Sequence, residues 1–106
     1  MPIRPVEFQI LLTLAGEERH GYGIMQEAAR MSDGEAPIEP GTLYRALHRM
    51  LNAGWVAESG RRPAADLDDE RRRYYRLTPA GRKQLTEQTN RWDAMVRAIN
   101  RILRPA

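Results

Sequence analysis

Two groups of arginine carry the residue types and spacing most suited to chemistry. Arg45 and Arg49 stand one helical turn apart, among Thr42, Tyr44, His48 and Asn52. Arg71, Arg72, Arg73 and Arg76 crowd a second stretch. A guanidinium can donate two parallel hydrogen bonds to the guanine edge in a DNA major groove, and an Asn amide can do the same for adenine. Arg, Thr and Tyr can also anchor phosphates. Catalytic chemistries find less support. The chain has no cysteine, which removes disulfides and thiolate metal sites. Ser32, Ser59 and the threonines are the remaining hydroxyl nucleophiles, and neither His20 nor His48 has an evident serine and carboxylate constellation around it. No phosphate-cradling glycine loop appears. Asp66, Asp68 and Glu70 lack the central glycine and the distal glutamate of a calcium loop. The reading is of a non-enzyme with no metal and no cofactor.

The elements that must position the arginines follow from periodicity and caps. Residues 6–15 read as a helix that is apolar nearly all round, through Val6, Phe8, Ile10, Leu11, Leu12 and Leu14, so it must be covered on several sides. Residues 16–19 read as a turn. Residues 22–30 read as a second helix with Ile24, Met25, Ala28 and Ala29 on one face. Gly21 and Gly23 near its start suggest a close backbone approach, and His20 suits a cap or a phosphate contact. Turn formers fill residues 32–39. Pro40 opens a third helix that Gly54 ends. On that helix Leu43, Ala46, Leu47, Met50 and Leu51 form the buried face. Thr42, Arg45, His48, Arg49 and Asn52 lie opposite, with Tyr44 at the border.

Residues 55–59 and 74–77 read as strands joined by a long hairpin connection that contains Pro63 and an acidic stretch. Alternation turns Tyr75 and Leu77 inward and Arg72, Tyr74 and Arg76 outward. Thr78-Pro79 then caps and starts a last helix that runs to about Leu103. The fold class is therefore mainly α with a small β-hairpin: a winged helix-turn-helix followed by a long C-terminal dimerisation helix. Residues 1–78 form the DNA-binding domain and 79–106 the dimerisation helix, in one continuous structural unit.

The bulk numbers fit. A chain of 106 residues suits one modest core. A formal net charge of +3 permits nucleic-acid binding. No apolar run approaches the ~20 residues of a membrane span, and Met1 to Pro5 lead into a helix rather than a secretory signal. The expectation is a cytoplasmic protein with no membrane partner.

Leu85, Trp92 and Ile99 recur every seven residues of the last helix. Met95 and Ile102 fall three further on, Val96 and Leu103 flank them, and Gln88 breaks the seam. Such a heptad-like stripe predicts a homodimer; the alternative is a helix folded back over residues 6–14 of its own chain. Trp92 has two uses: an interface anchor, or one wall of a pocket for a small hydrophobic or aromatic effector.

Three stretches resemble the PadR family of bacterial transcriptional regulators, in its short type with a single C-terminal helix. They are His20-Gly21-Tyr22-Gly23-Ile24, Gly41-Thr42-Leu43-Tyr44-Arg45-Ala46-Leu47, and Arg72-Arg73-Tyr74-Tyr75-Arg76-Leu77-Thr78-Pro79-Ala80-Gly81-Arg82. They occur in the family's order and span nearly the whole chain. The family often has Glu at the place of Gly23 and Pro at that of Arg45, and the acidic hairpin is a third departure. The resemblance implies that Tyr22, Thr42, Tyr44 and the wing arginines Arg72 and Arg73 contact double-stranded DNA, beside Arg45, His48 and Arg49 of the third-helix face. It also implies a homodimer joined through the first and last helices, which sets Phe8 and Leu12 beside Leu85, Trp92, Met95, Val96, Ile99 and Ile102. Repression at a palindromic operator and release by a ligand complete that expectation. Two rivals stay open: a winged helix used for protein binding, and a sensor of hydrophobic ligands that binds DNA weakly. The basic, polar outer face of the third helix favours DNA over a protein partner, which would call for exposed apolar residues there.

Overall fold

The computed structural model describes residues 3–60 and 73–105. In chain order the elements are α1 (Pro5–Leu14), β1 (Arg19–His20), α2 (Gly21–Met31), α3 (Pro40–Ala53), β2 (Val56–Glu58), β3 (Tyr74–Leu77) and α4 (Pro79–Leu103). The helix ends follow local chemistry. Pro5 occupies the first turn of α1, where the Glu7 side chain accepts the Arg4 backbone N–H at 2.9 Å. The His20 Nδ1 accepts the Gly23 N–H at 2.9 Å and so caps α2. Gly54, at φ 80°, ends α3 in the left-handed region, which glycine enters without a Cβ clash. Thr78 both caps α4, accepting the Gly81 N–H at 3.0 Å, and donates to the Gly54 carbonyl at 2.6 Å.

The sheet has three antiparallel strands in the order β1-β3-β2. Arg19 faces Tyr75 and His20 faces Tyr74 on one side of β3; Val56, Ala57 and Glu58 face Leu77, Arg76 and Tyr75 on the other. The turn expected at residues 16–19 thus ends in a two-residue edge strand. On β3, Tyr75 is buried and Arg76 exposed, as the pleat requires.

The core gathers Ile10, Leu11 and Leu14 of α1, Ile24 and Ala28 of α2, Leu43, Leu47 and Met50 of α3, and Trp55, Val56 and Tyr75 around the sheet. Helix α1 can be apolar nearly all round because α2, α3, α4 and β3 all pack on it. Leu85 also lies in this core and is 8% exposed. That corrects its place on a dimer seam: the first turns of α4 belong to the protomer's own core. Gly81 secures the junction, since a Cβ there would overlap the Trp55 carbonyl oxygen. Further along, the Trp92 ring lies 4.2 Å from that of Phe8, tilted by 55°. Helix α4 therefore does fold back on α1 over its first half. Beyond Trp92 it projects, and the molecule measures 64 × 28 × 22 Å.

Candidate nucleic-acid interface

Helix α3 presents Arg45, His48 and Asn52 to solvent, with Thr42 half-buried beside them. The Arg45 Nη2 reaches the Thr42 Oγ1 at 3.5 Å, so this guanidinium lies over the first turn of its own helix. The four residues share the face that the helical period assigns them, and each offers hydrogen-bonding atoms outward.

Arg49 does not join them. Its guanidinium turns inward and pairs with the carboxylate of Glu7 on α1. It also lies 5.8 Å from the centroid of the Trp55 ring. Glu7 is 0% exposed, and a carboxylate so deeply buried needs a cationic or hydrogen-bonding partner. Arg49 is therefore corrected from a groove-facing residue to a partner of the protein interior. Tyr44 is corrected likewise. Its hydroxyl is buried and sits against Gly21, where a Cβ would lie 2.5 Å from the phenolic oxygen. The phenol packs α3 on α2 rather than reaching toward a phosphate.

The start of α2 supplies a second group. Tyr22 is 59% exposed in the first turn. The His20 ring stacks near it at 6.4 Å and meets Tyr74 of β3 edge-on at 5.3 Å. Arg19, one residue before, is used structurally: its Nε donates to the Thr13 carbonyl at 2.8 Å, and its guanidinium pairs with Glu17 at 3.0 Å. Glu27 of α2 accepts from Arg30, and that hydrogen bond holds its carboxyl below the usual carboxylate range.

The third group lies on the sheet. Arg76 is exposed on β3. Arg73, just before β3, is exposed and forms an ion pair with Glu58 at 3.5 Å. A cleft of about 160 Å³ separates α3 from the sheet, and His48 and Arg73 both line it. The outer face of α3 and the base of the hairpin are thus neighbours. Arg72 and the acidic stretch Asp66 to Glu70 lie outside the described residues.

Two features of this region had no local signal in the sequence. Glu7 reads as an ordinary first-turn acid, yet its partner Arg49 is 42 positions away. The contact of His20 with Tyr74 depends on β1, which is too short to show alternation. Among the described residues, no group of three or more His, Asp or Glu is placed to hold a metal ion, and no helix is long and apolar enough to cross a membrane.

Comparison with known proteins agrees with this architecture. The chain is 36% identical to the transcriptional regulator Rv3488 of Mycobacterium tuberculosis, over 89% of this chain and 81% of that protein. It superposes on a transcriptional regulator from Clostridium thermocellum with a TM-score of 0.77 and 27% identity, covering 93% of each chain. Bacillus subtilis PadR, solved in complex with operator DNA, shares the fold with a TM-score of 0.70 at 20% identity, over 81% of this chain and 47% of that one. Residues 10–87 match the family described as the transcriptional regulator PadR-like family, whose members are regulators rather than enzymes. The protein is a member of the PadR-like family of transcriptional regulators.

Proposed function

We propose that the protein binds double-stranded DNA sequence-specifically as a homodimer and represses transcription at a palindromic operator in the cytoplasm. Helix α3 enters the major groove with Thr42, Arg45, His48 and Asn52 toward base edges. Tyr22 at the start of α2, and Arg73 and Arg76 at the wing, lie against the flanking phosphates. The observation that carries this reading is the joint exposure of Arg45, His48 and Asn52 on one face of α3, with exposed Arg73 and Arg76 on the adjoining sheet. Base edges are read by donors and acceptors of this kind, while phosphate contacts fix register. The complex of Bacillus subtilis PadR with operator DNA lends support from a shared fold.

The part of α4 that projects beyond Trp92 acts as the dimerisation arm. Met95 is 59% exposed and Ile102 79% exposed, with Val96, Ile99 and Leu103 also open. An apolar stripe of this kind on a projecting helix calls for a second subunit, and Phe8, which meets Trp92, and Leu12 on α1 join that interface. Trp92, partly exposed beside Phe8, is the natural contact for a small aromatic or hydrophobic effector that releases the DNA.

The deciding experiment measures binding to the protein's own upstream DNA and to random DNA at several salt concentrations. Tight, selective and salt-sensitive binding is expected. Equal, weak binding to both by a well-folded protein would overturn the proposal and turn attention to protein or ligand partners.

A further inference from the structure

We propose that Glu7 and Arg49 form a brace that fixes how α3 is presented to DNA, so that Arg49 serves recognition from inside the protein as a positioning residue. The inference rests on the DNA-binding reading above and extends it to a pair of residues that face away from the groove.

The geometry has three sides. The Glu7 carboxylate is buried, with its side chain 1% exposed. One of its oxygens accepts the Arg4 backbone N–H at 2.9 Å, which fixes the carboxylate to the start of α1. The other accepts from the Arg49 Nη1. The third side is the Trp55 ring, whose centroid is 5.8 Å from the Arg49 guanidinium carbon. Trp55 follows directly on the glycine that ends α3, and it is 6% exposed.

Adhesion between α1 and α3 does not require this arrangement. Leu43, Leu47 and Met50 already bury the inner face of α3 against the core. A well-packed apolar pair in place of a buried ion pair is often as stable or more so. Apolar contacts are non-directional, whereas a guanidinium is a planar fork that accepts a partner only from set directions. The brace therefore constrains the rotation of α3 about its own axis. Arg45 lies one turn before Arg49 on the same helix, so that rotation decides where Arg45 and His48 point. A recognition side chain misplaced by a small angle loses its paired hydrogen bonds to a base edge, while contacts with the phosphate backbone, which accept many geometries, survive.

The test uses the full chain with four changes: Glu7→Gln, Arg49→Lys, Arg49→Met, and the double replacement Glu7→Leu with Arg49→Met. Thermal midpoint, binding to upstream DNA, binding to random DNA and the salt slope are measured for each. Glu7→Gln, far from the groove, should lower the ratio of specific to random binding roughly tenfold, within the range for changes transmitted through packing. Its salt slope should be unchanged. Arg49→Lys and Arg49→Met should behave in the same way. The double variant should keep the thermal midpoint of the wild type and still lose selectivity, which a merely structural role would not produce. If it fails to fold, the near-isosteric Glu7→Gln carries the test.

Each contrary outcome is distinct. A salt slope flatter by about 0.9 in Arg49→Met alone makes Arg49 a phosphate contact and overturns the brace. Selectivity lost in the Arg49 variants but kept in Glu7→Gln makes Arg49 a base reader and overturns it too. A folded double variant with full selectivity reduces the pair to packing. A wild type without selectivity overturns the DNA-binding reading itself, and the positioning role falls with it.

Discussion

Arg45 and Arg49 are the same residue type, one turn apart on the same helix, and they meet opposite fates. Arg45 is exposed and lies over Thr42, whereas Arg49 is drawn into a partly buried pair with the buried Glu7. Helical periodicity separates an inner from an outer face, and it placed Leu43, Ala46, Leu47 and Met50 correctly inside. It cannot rank residues at the boundary, where a long side chain can turn either way. What decides for Arg49 is a carboxylate on α1, and no local pattern reports a partner so distant in sequence. Tyr44 sits at the same boundary and is settled in the same way, by the absence of a side chain at Gly21. The consequence for Arg45 is direct. Arg45→Ala should cost ~1–3 kcal/mol of specific DNA binding and leave random DNA nearly unaffected, as read by fluorescence anisotropy on both duplexes. Equal losses on both would reassign Arg45 to phosphate.

At the scale of elements, the helices were legible because their ends are chemically marked. Pro40 and Gly54 bound α3, and Thr78 with Pro79 open α4. The edge strand β1 was not legible, since two residues cannot establish alternation; it exists because β3 offers a free edge to Arg19 and His20. The junction between the sheet and α4 depends on Gly81. Alanine there would gain about 1 kcal/mol of helix propensity. Its Cβ would also overlap the Trp55 carbonyl oxygen, and a backbone atom cannot rotate away as a side chain can. Overpacking of that kind costs about 3 kcal/mol. The net effect of Gly81→Ala should be a thermal midpoint lower by roughly 10 °C for a chain of this size. An unchanged midpoint would mean that β2 shifts freely against α4. The wing makes a separate prediction. Arg73 pairs with Glu58 at 3.5 Å, with both side chains substantially exposed, so the pair adds at most about 1 kcal/mol to stability. Arg73→Ala should therefore leave the melting curve in place and flatten the salt slope of DNA binding by about 0.9. A slope equal to that of the wild type would remove Arg73 from the phosphate contacts.

The whole molecule is shaped by how α4 divides its apolar residues. The 25 residues of this helix extend about 37 Å at 1.5 Å each, more than so small a domain can cover. One heptad-like stripe runs along it in the sequence, and periodicity alone does not say where one partner gives way to another. The structure divides it: Leu85 lies in the protomer's own core and Trp92 rests on Phe8, while Met95, Val96, Ile99, Ile102 and Leu103 stay exposed. If a second copy covers the exposed part, charge placed there should act on assembly and spare the fold. Met95→Lys with Ile99→Lys should convert a micromolar dimer to a monomer in sedimentation velocity. The thermal midpoint of the protomer, whose core holds neither residue, should be spared apart from any stability that dimerisation itself adds. DNA binding should weaken in a characteristic way. A two-fold dimer places its recognition helices about 34 Å apart, so that both half-sites are read on one face of the duplex. A monomer reads one half-site, and its affinity for the full operator should fall to that for an isolated half-site, because the second contact is no longer held at a high effective concentration. A double variant that remains dimeric would move the interface to α1 or to the α2 face. A wild type that sediments as a monomer would leave the stripe for a different protein to cover.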